Sequence, residues 1–126
     1  QTLENHNYSL YIFPQTILNS FSVFLVSSMK IRYLKGEFEK IIEKNHTAFE
    51  FYQDKLYLAI YDENEPFLKG QLEIYDLSQK LESIKTVKIH IEPITEIKID
   101  GDKLYTLSKD KTIQIHQLSK MLSGKK

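Results

Sequence analysis

Four histidines, His6, His46, His90 and His116, are the first residues that could carry chemistry. None has a second His or an acidic partner at a metal-ligand spacing such as His-x-x-x-His, so no metal site is expected. There is no Cys, which removes disulfides, thiolate metal sites and a thiol nucleophile. A Ser-His-Asp relay assembles in space rather than along the chain, so spacing leaves it open. No Gly-x-Ser-x-Gly elbow is present, and the 4 Gly form no phosphate-cradling loop. Asp62-Glu63-Asn64-Glu65 and Asp100-Gly101-Asp102 are acidic enough to suggest Ca²⁺. Neither has the EF-hand ligand spacing with its terminal bidentate Glu, so both are expected to be solvated turns. Asp110 is placed to cap the turn into Thr112. His116 is expected to be a packed or hydrogen-bonded structural residue. These residues predict no enzymatic activity, no cofactor and no metal.

Charge narrows the partners. The 17 basic and 17 acidic side chains cancel, which argues against general affinity for nucleic acid or an anionic membrane. Arg32 is the single Arg, and bidentate reading of guanine or phosphate relies on Arg forks. The Lys-rich end, with Lys120, Lys125 and Lys126, is expected to be a frayed polar tail. The longest apolar run, Phe21-Ser22-Val23-Phe24-Leu25-Val26, is far shorter than the roughly 20 residues that cross a bilayer. Asn7-Tyr8-Ser9 and Asn45-His46-Thr47 match the glycosylation pattern. Without Cys or a visible signal peptide they are expected to be unmodified, in an intracellular, cytoplasmic or nuclear protein. The chain begins with Gln1, which suggests a piece of a longer protein.

The elements that would position these residues are strands. A length of 126 residues allows one domain, and 15 aromatics (7 Phe and 8 Tyr) are too many for a solvated coil. The dominant hydrophobic period is two, carried by β-branched and aromatic residues. Ile94 to Ile99, Lys103 to Ser108 and Thr112 to Leu118 predict three antiparallel strands. They are joined at Asp100-Gly101-Asp102 and at Lys109-Asp110-Lys111.

The middle stretch has the same design. Asp54-Lys55-Leu56-Tyr57 recurs as Asp102-Lys103-Leu104-Tyr105, an offset of 48 residues. Gln71 to Leu77 matches Thr112 to Leu118, and Ile84 to Ile91 supplies a fourth strand closed by Pro93. A weaker copy runs through Val23 to Ser27, Met29 to Leu34 and Glu37 to Ile42, with a helix over 37–44 as the local competitor. Tyr8 to Phe13 is one more strand, ending at Pro14.

Repeated four-stranded units are the mark of propeller blades. Leu107-Ser108-Lys109-Asp110-Lys111-Thr112-Ile113-Gln114-Ile115-His116-Gln117-Leu118 resembles the closing half of a WD repeat, with His116 at the Trp position and Gln117 at the Asp position. Gly70 to Leu77 is similar, with Tyr75-Asp76 at the Trp-Asp position. The resemblance covers about residues 21–118. It implies an all-β fold of antiparallel four-stranded blades in a partial β-propeller, with approximate blades at 21–46, 47–91 and 92–118 and a polar tail at 119–126. No repeat has the family's Gly-His pair and there is no Trp, so its hydrogen-bond tetrad is expected to be incomplete.

Three blades cannot close a propeller of 4 to 8 blades. The chain is therefore expected to pack on another chain or on the rest of its own propeller. The alternative fold is a pleckstrin-homology-like barrel with Thr112 to Met121 as its final helix.

The function implied is a non-catalytic scaffold whose partners are other protein subunits, with no specific nucleic acid and no membrane span. Phosphoinositide binding through Lys30, Arg32 and Lys35 is the alternative. The expected core is Leu56, Leu58, Leu72, Ile74, Leu104, Leu107, Ile113 and Ile115, with Tyr57 and Tyr105 at equivalent blade positions. The expected contact loop runs from Tyr61 to Lys69, where acidic Asp62, Glu63 and Glu65 surround Phe67. An exposed aromatic in a charged rim is the composition of an interface anchor.

Overall fold

A computed structural model describes residues 9–15, 20–27, 30–35, 38–62 and 64–123. Two compact units divide the chain, residues 1–45 and 46–126.

The first unit holds one antiparallel sheet, in which β1 (Ser9–Gln15), β2 (Ser20–Val26), β3 (Ile31–Lys35) and β4 (Phe38–Ile42) lie in chain order. Residues 38–42 are strand, so the helical competitor there does not form. β1 continues through Pro14, where the sequence predicted an end. Pro lacks an N–H to donate, and β1 tolerates it because it is an edge strand. Phe24 lies opposite Tyr33 across β2 and β3; both are fully buried, with ring centroids 4.9 Å apart.

The second unit holds two sheets. β5 (His46–Tyr52), β6 (Lys55–Ile60), β7 (Gln71–Asp76) and β8 (Glu82–Lys88) form a four-stranded sheet in chain order. β9 (Ile94–Asp100), β10 (Lys103–Ser108) and β11 (Ile113–Gln117) form a three-stranded one, followed by α1 (Leu118–Ser123). Gln53 and Asp54 turn β5 into β6 with φ of 47° and 60°, the left-handed pair that a two-residue hairpin uses.

The two sheets are sealed by Tyr57, Ala59, Leu72 and Ile74 of the four-stranded sheet against Ile94, Ile97 and Leu104 of the three-stranded one, with Leu118 of α1. The Tyr52 hydroxyl donates to the Gly101 carbonyl at 3.2 Å, and the Thr47 hydroxyl donates to the Ile94 carbonyl. The architecture is all-β, built of antiparallel sheets in the manner of a partial β-propeller. The barrel alternative fails at its last element. Residues 113–117 are strand, and the helix that follows has only 6 residues. Ser119 to Ser123, expected as the start of a tail, belong to that helix.

Leu56, Leu58, Leu72, Ile74 and Leu104 are fully buried as expected. Leu107, Ile113 and Ile115 are not; they are 39%, 67% and 61% exposed. Alternation identified which residues share a face but not which face is covered. Tyr105 lies opposite Ile115 as Tyr57 lies opposite Ile74, and Leu107 opposite Ile113 as Ala59 opposite Leu72. The same face is therefore buried in the four-stranded sheet and exposed in the three-stranded one.

Candidate functional site

The β6–β7 loop is long and internally tied. The Asn64 N–H donates to Asp62 Oδ1 at 2.9 Å, and the Glu65 N–H to the Asp62 carbonyl at 3.1 Å. Pro66 starts a single 3-10 turn, Pro66–Leu68, closed by the Leu68 N–H on the Glu65 carbonyl at 2.9 Å. The Phe67 carbonyl accepts from Lys88 Nζ at 3.1 Å, and Lys88 also donates to the Lys69 carbonyl. Lys69 Nζ in turn pairs with Glu92 at 3.2 Å. The backbone is thus anchored while the Phe67 ring is 67% exposed. Asp62 and Glu65 stand in the same loop; Glu63 lies outside the described residues.

A second constellation went unread in the sequence. His90, on the connection from β8 to β9, is 2% exposed. Its Nδ1 is 3.0 Å from Asp110 Oδ2 and its Nε2 is 2.8 Å from Thr106 Oγ1. The Thr112 hydroxyl donates to Asp110 Oδ1 at 2.5 Å and lies 3.1 Å from His90 Nδ1. A carboxylate can only accept, so Nδ1 is the donor to Asp110, and Nε2 lies within hydrogen-bond distance of the Thr106 hydroxyl. Asp110 also receives the Thr112 N–H at 2.9 Å, the capping role that the sequence predicted. The Thr112 hydroxyl, chiefly, holds the Asp110 carboxyl down at about 2, with burial opposing and His90 assisting.

Carboxylate, imidazole and hydroxyl in this order have the arrangement of a nucleophilic relay. Here the hydroxyl is enclosed in the protein, for Thr106 is 1% exposed. The network ties the β8–β9 connection to the β10–β11 turn. No Trp takes part; Thr112 closes the ring. The only sequence signal was His90 lying 16 residues before Thr106 and 20 before Asp110. The internal repeat could not expose it, because the 48-residue offset places Leu58 where Thr106 stands.

The remaining candidates are structural or neutralised. His116 is half-buried, bonded to Gln114 Oε1 at 3.1 Å, and burial holds its pKa below 6.5. Arg32 is held by Glu39 through two bonds of 2.8 and 2.5 Å, and Lys30 pairs with Glu43 at 3.9 Å. No group of three or more His, Asp or Glu among the described residues could hold a metal ion. No helix among them is long and apolar enough to cross a membrane.

No protein-family model and no curated protein matches the chain. Solved structures do share its fold. The computationally designed Ika8 protein superposes with a TM-score of 0.58 at 13% identity, over 92% of this chain and 33% of that one. A chain of the mitotic checkpoint complex gives 0.57 at 13% identity, over 92% and 36%. HIRA(644-1017) gives 0.53 at 10% identity, over 91% and 36%. The chain thus spans about a third of the length of each of these. The likeness defines the class as a β-propeller architecture and goes no further than the fold.

Proposed function

We propose that this chain is a segment of a divergent WD-like propeller acting as a non-catalytic protein-interaction scaffold in an intracellular multi-subunit assembly. The observation that carries this reading is the face on which Leu107, Ile113 and Ile115 are exposed and Tyr105 is half-buried. Its sister face in the neighbouring sheet, Tyr57, Ala59, Leu72 and Ile74, is buried under a further sheet. A repeat that buries one copy of a face calls for a neighbour on the next copy. That neighbour is a further blade, from the same protein or from another subunit. Similarity to a chain of a named multi-subunit complex supports the same role. The Phe67 loop, with Asp62, Glu65 and Glu63, is the proposed contact for a separate partner, since its ring is presented on a fixed backbone.

The phosphoinositide alternative draws no support from the ion pairs of Lys30 and Arg32. Sedimentation of the chain tests the scaffold reading. The chain is expected to self-associate, and the double variant Ile113→Glu, Ile115→Glu to sediment as a folded monomer. A folded wild-type monomer at all concentrations would overturn it. Liposome sedimentation with phosphoinositide vesicles checks the alternative, which requires binding lost in Arg32→Glu.

A further inference from the structure

Three connections meet at one end of the second unit, and hydrogen bonds fix their order. The Gly70 carbonyl, at the foot of the β6–β7 loop, accepts the N–H groups of Ile89 and His90 at 2.9 and 3.1 Å, and Lys69 Nζ pairs with Glu92 at 3.2 Å. The β8–β9 connection is bonded in turn to the β10–β11 turn. There the Lys109 N–H donates to the Pro93 carbonyl at 3.0 Å, and the Ser108 hydroxyl to the Glu92 carbonyl at 3.1 Å. The β8–β9 connection therefore lies between the other two.

Two of the three carry a large apolar side chain that the fold leaves outside. Phe67 is 67% exposed, and Ile91, on the middle connection, is 72% exposed, more than any other large hydrophobic side chain among the described residues. Both stand on backbone that is already fastened, so little freedom is lost when a partner covers them. Charge changes sign across the same end. Asp62 and Glu65 share the loop of Phe67. In the middle, Lys69 is matched by Glu92, and the Lys88 ammonium is turned onto the Phe67 and Lys69 carbonyls. Beyond Ile91, the β10–β11 turn exposes Lys109 and Lys111, while the Asp110 carboxylate between them is turned onto His90 and Thr112. The order across the end is acidic, apolar, then basic.

We propose that this end of the second unit binds an extended segment of another protein whose charge runs the opposite way. A basic residue of the segment meets Asp62 and Glu65, apolar residues cover Phe67 and Ile91, and an acidic residue meets Lys109 and Lys111. The apolar contacts supply most of the affinity, because exposed ion pairs are worth little each. The charges supply selection. A wholly basic segment is repelled at the β10–β11 turn and a wholly acidic one at the β6–β7 loop, so only a segment of mixed polarity satisfies both.

The proposal rests on the scaffold reading only in taking a protein partner at the Phe67 loop; Ile91, the basic turn and the polarity are its own. The probes are three labelled synthetic peptides of equal length with leucines at the centre. One carries lysines at one end and glutamates at the other, one carries lysines at both ends, and one carries glutamates at both ends. Each is titrated with the full 126-residue chain, and fluorescence anisotropy follows binding. The mixed peptide is expected to bind saturably and about fivefold or more tightly than either of the others. Phe67→Ala and Ile91→Ala are each expected to weaken it by about fivefold or more with unchanged circular dichroism. The double variant Lys109→Glu, Lys111→Glu should move the preference to the lysine peptide, and Glu65→Lys should move it toward the glutamate peptide. No saturable binding, equal affinity for the three peptides, or mixed-peptide affinity unchanged in Ile91→Ala overturns the proposal. Such a failure alongside self-association relieved by Ile113→Glu and Ile115→Glu would leave the scaffold reading standing. A folded wild-type monomer that still selects the mixed peptide would remove the scaffold reading and leave this site.

Discussion

The Gly70 carbonyl accepts the His90 N–H at 3.1 Å and the Ile89 N–H at 2.9 Å, and this contact leaves no room for a side chain. A Cβ built on Gly70 would stand 1.9 Å from the His90 carbonyl oxygen, and its φ is +75°. Both the clash and the dihedral therefore require glycine. Gly70→Ala is expected to cost more than about 2 kcal/mol. Gly101 is the control. It also has a positive φ, +62°, but nothing lies within 4 Å of its virtual Cβ. Gly101→Ala should cost only about 1 kcal/mol, for the dihedral alone. Urea denaturation of the two variants side by side checks the difference.

The network that His90 organises predicts a structural phenotype. Removing the ring leaves the buried Thr106 hydroxyl without its imidazole partner, and a buried polar group left unpaired costs about 1–3 kcal/mol. His90→Ala should destabilise by at least that much, since a cavity is added. Thr106→Val keeps the shape and removes the hydroxyl, so it should cost less than His90→Ala. Thermal melts that order the two the other way would contradict the network.

What the sequence made legible divides along one line. Period-two alternation and the 48-residue repeat located β6, β7, β10 and β11, because strand pairing is written in local pattern. The exposure of Ile113 and Ile115 was not legible, because alternation separates two faces without stating which is covered. The His90–Thr106–Asp110 network escaped for a related reason. Its members sit on a connection, a strand and a turn, and only the packing of two sheets brings them together. Asp110 was readable as a turn cap because that bond spans two residues.

Acid should loosen the second unit in a defined window. The Asp110 carboxyl is held at about 2, below its ordinary 3.8, chiefly by the Thr112 hydroxyl. A carboxyl lowered on folding contributes stability that is present above its unfolded value and is lost as pH falls through its folded value. Stability should therefore drop between about 3.8 and about 2. The Ser119 hydroxyl lowers Asp102 in the same direction. His116, lowered by burial, adds an earlier loss that begins below 6.5, since the unfolded chain takes up the proton more readily. Urea midpoints followed down this range, with Asp110→Asn as the variant of flatter slope, test the assignment.

The last prediction separates binding from stability at Phe67. The loop that carries it is fastened through main-chain groups, with Lys88 and Gln71 on the Phe67 carbonyl, at 3.1 and 3.5 Å, and Lys88 also on that of Lys69. The ring takes no part in those bonds and is 67% exposed, so truncating it removes little that the fold uses. Phe67→Ala should leave the melting temperature nearly unchanged, as exposed substitutions away from such contacts fall within about 0.5 kcal/mol. Lys88→Ala should behave in the opposite manner, releasing two carbonyls and loosening the loop. If the ring is an anchor, Phe67→Ala weakens capture of the loop's partner by more than about 1 kcal/mol. The acidic Asp62 and Glu65 beside it would then make the association rate fall with salt, given a basic partner. The measurement is a quantitative pull-down with melting curves on the same preparations. A lowered melting temperature with capture unchanged would place Phe67 in the fold and the contact elsewhere.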